Sequence, residues 1–168
     1  IGYPDYWQFV GEEYVSADAE IAFEDQFDWT TNVNVWWFEG DTEKGGYGEA
    51  RTDNQILENI QYSYSELCED YTFAEHGRIC YNHKVIDSSI IYTNDNRKVY
   101  YNKESYTLEF DDPNFPGQWP MIATVGTVYG KDGSWDVSSE SEARVFASHS
   151  DEIMNMIKSF TLAPTASA

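Results

Sequence analysis

The spacing of apolar residues along the chain changes several times, and each change marks an element. Val33, Val35 and Trp37 alternate with Asn32, Asn34 and Trp36, the two-residue period of a strand with one wetter face. Aromatic and β-branched residues crowd three regions, 21–27, 32–39 and 78–110, with turn-forming residues between them. Between the second and third the period lengthens. Ile56, Leu57, Ile60, Tyr64, Leu67 and Cys68 recur every three or four residues after Thr52 and Asp53, both good N-caps, which predicts an amphipathic helix over 54–69.

From Ile79 the strand pattern returns, with breaks expected at Asp87-Ser88-Ser89, Asn94-Asp95-Asn96 and Asn102-Lys103. Short strands with short breaks imply antiparallel hairpins. Beyond Asp111-Asp112-Pro113-Asn114, a strand is expected over Met121–Tyr129, and Lys131-Asp132-Gly133 turns it into a short one over Trp135–Val137. Ser148 or Ser150 then caps a last helix in which Ile153, Met154, Ile157 and Phe160 share a face. Strands in runs, with helices not alternating between them, predict an α+β domain. It spans 1–162, followed by a flexible tail or linker over 163–168.

Composition sharpens this reading. With 168 residues, 41% hydrophobic and 17% aromatic, the chain can bury a core without metal or disulfide. Its 30 Asp and Glu against 10 Lys and Arg give a formal charge of −20, a skin that repels phosphate backbones and anionic headgroups and favours cations or basic partners. Nucleic acid is therefore excluded as a partner, and no apolar run is long enough for membrane insertion by a helix. The first residue is Ile1, not Met, which we read as a secreted protein whose signal peptide has been removed.

The candidate chemistry is sparse. Cys68 and Cys80 lie 12 residues apart between the predicted helix and the next strand, which in an exported protein suits a disulfide. The rival use of the same residues is a metal site, with His76, Cys80 and His83 beside Cys68. On a strand, His83 would face away from the other two unless a bulge intervened. Asp111, Asp112 and Asn114, and likewise Asn94, Asp95 and Asn96, are oxygen-rich turns of the kind a weak calcium site needs, although neither has the spaced D-x-D-x-D-G pattern. Gly45-Gly46-Tyr47-Gly48 lacks the Lys-Ser/Thr element of a phosphate loop, and His149 has no nucleophile elbow to serve. The chain reads as non-enzymatic, with a hydrolase using Asp111 or Asp112 as the alternative.

The aromatic surplus points to contact with a partner. Tyr3, Tyr6 and Trp7 in the opening stretch, Trp36-Trp37, and Tyr100-Tyr101 are the candidates. In each adjacent pair, one ring is expected in the core and the other outside, because neighbours on a strand face opposite ways. The opening stretch, Tyr3 to Val10, also allows self-assembly by donating a strand to a neighbour's sheet, as in a filament or surface layer.

Both ends of the chain resemble the PsbP family. The opening Ile1-Gly2-Tyr3-Pro4-Asp5-Tyr6-Trp7 is similar to that family's "YP-x-x-W" start, and Ile153 to Phe160 to its terminal helix ending in "SF". The order of elements between them also matches. This resemblance implies a central antiparallel sheet flanked by helices, related to the Mog1-like fold, in an exported accessory protein. It carries over no ligand set, because no family functional position matches residue by residue.

Overall fold

The computed structural model describes residues 1–10, 21–25, 28–44, 51–69 and 77–162. Its strands are β1 (Trp7–Val10), β2 (Ile21–Asp25), β3 (Asp28–Glu39), β4 (Arg78–Tyr92), β5 (Lys98–Phe110), β6 (Gln118–Tyr129) and β7 (Gly133–Glu142). The helices are α1 (Asp53–Glu69) and α2 (Ala143–Ser159). All seven strands join one antiparallel sheet in the order β1-β2-β3-β7-β6-β5-β4. The expected α+β architecture is thus a strand-rich one.

Thr52 opens α1 with a capping box. Its Oγ1 accepts from the Gln55 amide at 3.3 Å, and Gln55 Oε1 accepts from the Thr52 amide at 2.8 Å. The helix packs against β4 and β5. The second helix packs against β6 and β7, and its approach requires Gly126: a Cβ there would lie 2.7 Å from Ile157 Cγ2. Strand alternation places Gly126 and the α1-side residue Tyr100 on opposite faces, because Tyr100 pairs with Thr127. The larger core lies under α2, where Trp7, Phe23, Val33, Val35, Val99, Tyr101, Val128 and Val137 meet Phe146, Ile153, Met156, Ile157 and Phe160.

Several boundaries differ from the sequence reading. Asp87-Ser88-Ser89 and Asn102-Lys103 are not breaks: β4 and β5 run through them as one long hairpin, turned near Asn94–Asn96, where Asn96 has φ +65°. Ser88 and Asn102 are cross-strand partners, so their polarity marks a polar row in the sheet. The strand expected at Trp135–Val137 extends over Gly133–Glu142 and leads straight into α2. Ser148 and Ser150 therefore sit inside that helix, where each bonds a preceding carbonyl, Val145 O at 2.6 Å and Ala147 O at 3.3 Å. Met156 is fully buried while Met154 is only half-buried. The tail expected at 163–168 lies outside the described residues, as does the glycine-rich stretch 45–48.

Candidate functional site

The sheet ends at β4, whose outer edge pairs with no strand among the described residues. Four of the eight exposed large apolar side chains among those residues belong to this strand: Ile79, Val85, Ile86 and Tyr92. Tyr62 of α1, the most exposed at 63%, lines a groove with Val85. Single exposed apolar residues are ordinary; Val85 and Ile86 are adjacent, and Val85 lines the same groove as Tyr62.

Beside this edge runs an open groove of about 430 Å³. One wall is Glu58, Gln61, Tyr62 and Ser65, which the helical repeat sets on a single face of α1. The other wall is His83, Lys84 and Val85, at an irregularity where the register of β4 slips against β5. Asn82 enters it with φ +57°, a left-handed conformation that Asn tolerates better than most residues. Such bulges re-aim side chains. Here the His83 ring lies beneath the groove, with Nε2 2.7 Å from Glu104 Oε2 and both side chains almost fully buried.

Behind His83 the floor of the site is polar. Asn102 and Glu104 follow each other on the α1 face of β5, at 0% and 2% exposure. Neither amide atom of Asn102 has a hydrogen-bond partner, and neither has Glu104 Oε1. Burial raises the Glu104 carboxyl above its ordinary range, and the His83 contact partly opposes this. Gln61 donates to Ser88 Oγ at 2.7 Å and bridges the helix to the same row. The polar band divides the core under α1. Ile56, Leu57 and Tyr100 cluster on one side, and Cys68, Cys80, Leu108 and Met121 on the other.

Cys68 and Cys80 form a disulfide, S–S 1.95 Å, that ties the end of α1 to β4. The alternative use of these cysteines as metal ligands falls with it. His83 turns instead to Glu104, and His76 lies outside the described residues. The described residues contain no group of three or more His, Cys, Asp or Glu that could hold a metal ion. In each oxygen-rich turn one aspartate closes the turn. Asp112 Oδ1 accepts from both the amide and Nδ2 of Asn114, at 2.8 and 2.9 Å, while Asp111 is exposed. Asp95 accepts from Thr93 Oγ1 at 2.5 Å and Arg97 Nε at 3.1 Å, between exposed Asn94 and Asn96. These are turn-closing bonds.

The aromatic candidates divide. Tyr3 is 45% exposed, but Trp7 is 3% exposed and belongs to the core, which corrects its assignment to a partner surface. The reason is α2. Tyr6 donates to Glu152 Oε1 and Trp7 Nε1 to Glu152 Oε2, while Ser159 Oγ accepts from the Gly2 amide at 2.8 Å. The opening stretch thus folds onto its own domain, and β1 pairs with β2, which removes the mechanism of strand donation. Tyr100 and Tyr101 are both buried, at 1% and 6%. A helix covers each face of the sheet there, so the expectation of one outward ring fails. Trp36 and Trp37 are both half-buried: Trp36 donates to Ser138 Oγ at 2.8 Å, and Trp37 stacks near Trp135 with centroids 4.8 Å apart. His149 is a helix residue between Trp7 and Glu152, with Nδ1 3.3 Å from Glu152 Oε2.

Sequence reasoning did not find the surface formed by Tyr62, Ile79, Val85, Ile86 and Tyr92, nor the His83–Glu104 pair. The adjacent pair Val85-Ile86, which breaks the two-residue alternation, was the available signal. It is the pattern of a bulged edge strand.

No family model matches the sequence, and no curated protein matches it. Among solved structures, cyanobacterial PsbP from Synechocystis is similar with a TM-score of 0.57 at 13% identity, covering 96% of this chain and 84% of that one. A Bacteroides thetaiotaomicron protein reaches 0.47 at 12% identity over 91% of this chain and 41% of its own. A Pseudomonas aeruginosa protein of unknown function reaches 0.42 at 7% identity over 95% and 83%. The first likeness spans nearly the whole chain and agrees with the antiparallel sheet and two helices described above: the chain has a PsbP-like fold.

Proposed function

We propose that this protein is a non-enzymatic, extracytoplasmic binding domain that docks a protein partner on the surface formed by α1 and β4. The observation that carries this reading is that exposed Tyr62 and Val85 line one groove, with exposed Ile86 next to Val85, on an edge that pairs with no strand among the described residues. Compartment is supported by the disulfide, a bond that persists in oxidising surroundings, and by the fold shared with cyanobacterial PsbP. A formal charge of −20 supports a partner with a basic face and opposes association between copies of this chain. No helix among the described residues is long and apolar enough to cross a membrane.

A photo-crosslinking residue placed at Ile86, and as a control at Asn155 on exposed α2 surface, tests the surface in native extracts. A discrete adduct from position 86 alone is the expected result. Equal labelling from both positions, or from neither, overturns the assignment of the docking face.

A further inference from the structure

The form of the β4 edge says how a partner is held there. Past its bulges, Asp87–Tyr92 pairs with Lys98–Lys103 in an unbroken antiparallel register, so this stretch is a straight strand with one hydrogen-bonding side already used. Its other side pairs with no strand among the described residues. Each strand of a ladder presents N–H and C=O groups to both sides, so an unpaired edge is a template for another strand about 4.8 Å away. Native edges are blunted by proline, lysine, bulges, inward charges or a covering element, and on β4 the bulges and Lys84 all precede Asp87. Between Arg78 and Tyr92 there is no proline.

The groove supplies the second half of the recognition. It lies beside the bulge that precedes this straight stretch, its helical wall is Glu58, Gln61, Tyr62 and Ser65, and Gln61 reaches Ser88 within the stretch itself. Glu66 extends the same acidic face, accepting from the Tyr62 hydroxyl. A strand added beside β4 would point alternate side chains toward this wall and the others toward the opposite face. Carboxylates on the wall select basic side chains. Exposed Ile86, next to Asp87 at the bulge, offers contact to apolar ones. Lys84, beside His83 on the facing wall, is exposed and long enough to swing into water.

We infer that β4 takes an extended segment of a partner protein by strand addition along Asp87–Tyr92, and that this segment alternates basic and apolar residues. The inference rests on the docking face proposed above and adds its geometry and chemistry. A second copy of this chain is disfavoured as occupant, because two molecules of charge −20 would have to meet edge to edge.

Two blocked synthetic peptides test this on the wild-type protein: an eight-residue alternation of Lys and Val, and its Glu and Val counterpart. Amide hydrogen exchange and NMR shifts are read at low salt. The Lys–Val peptide is expected to slow exchange of outward amides in Asp87–Tyr92 at least tenfold and to shift His83–Val85. It should bind at least tenfold more tightly than the Glu–Val peptide and weaken as salt rises. Binding that leaves the Asp87–Tyr92 amides unprotected overturns strand addition but leaves the docking face standing. Equal binding of the Glu–Val peptide overturns the basic alternation. No binding of the Lys–Val peptide overturns the inference, while the Ile86 crosslink separately decides the docking face. A doubling of molar mass with protection of the same amides, in the absence of peptide, assigns the edge to a second copy and also overturns it.

Discussion

Asp136 offers the most direct quantitative test of the fold's electrostatics. It lies on β7 with Oδ1 accepting from Thr127 Oγ1 at 2.6 Å, in the cross-strand row Trp36, Asp136, Thr127, Tyr100. Burial raises its carboxyl from 3.8 to about 6. The Thr127 bond opposes that rise and the nearby Asp41 charge adds to it. Between these two values the native protein holds a proton that the unfolded chain has released. Stability therefore falls as pH rises through this window, and the penalty is complete above about pH 6. At roughly 1.4 kcal/mol per tenfold change in proton affinity, it amounts to about 3 kcal/mol, an upper estimate for a side chain with some solvent contact. Asp136→Asn keeps an acceptor for Thr127 and removes the ionisation. Urea unfolding of both proteins at several values between about pH 4 and pH 7 should show nearly equal stability at the acid end, with the variant ahead by about 2–3 kcal/mol at neutrality. Removing one negative charge from so acidic a chain is itself stabilising, so exposed Asp132→Asn serves as the control for net charge. A pH-independent difference, or the same gain from Asp132→Asn, would refute the reasoning.

Other perturbations give different signatures. Replacing both Cys68 and Cys80 by Ala opens a loop of 12 residues and should cost about 3 kcal/mol in the chain-entropy account, seen as a lower denaturant midpoint; an unchanged midpoint would show that the bond does not constrain the unfolded chain. Gly126→Ala should cost about 1–3 kcal/mol, because its Cβ would press on Ile157 Cγ2 and Val99 Cγ1. Combined with Ile157→Ala, the two losses should sum to less than their separate values, and strict additivity would deny that contact. Trp7→Ala should destabilise by about 3–5 kcal/mol while Tyr3→Ala stays within about 1, as thermal unfolding would show. If the Tyr3 change proved the costlier, the packing of the opening stretch would be wrongly described.

Legibility in the sequence followed the range of the interaction. The first helix announced itself because its cap, Thr52 to Gln55, and its apolar stripe, Ile56 to Cys68, are local. Proximity in sequence also favoured the cysteine pair. The long hairpin was misread at Ser88 and Asn102 because polar residues that pair across two strands look, one strand at a time, like turns. The start of α2 was misplaced for a related reason. Ser148 and Ser150 resemble caps, yet their bonds close within the helix.

By itself, then, the sequence determined an acidic, aromatic-rich α+β domain, since charge, composition and short-period patterning need no knowledge of distant contacts. The tertiary structure decided which aromatic residues are buried. Trp7 disappears beneath α2 and both Tyr100 and Tyr101 are enclosed, because helices from remote parts of the chain cover the two faces of the sheet. It also decided the candidate site. Strand order places β4 at the rim, and a bulge turns His83 toward Glu104, 21 residues away. Whether a strand is central or at an edge is a property of its neighbours, and within β4 only the Val85-Ile86 break in alternation hints at it.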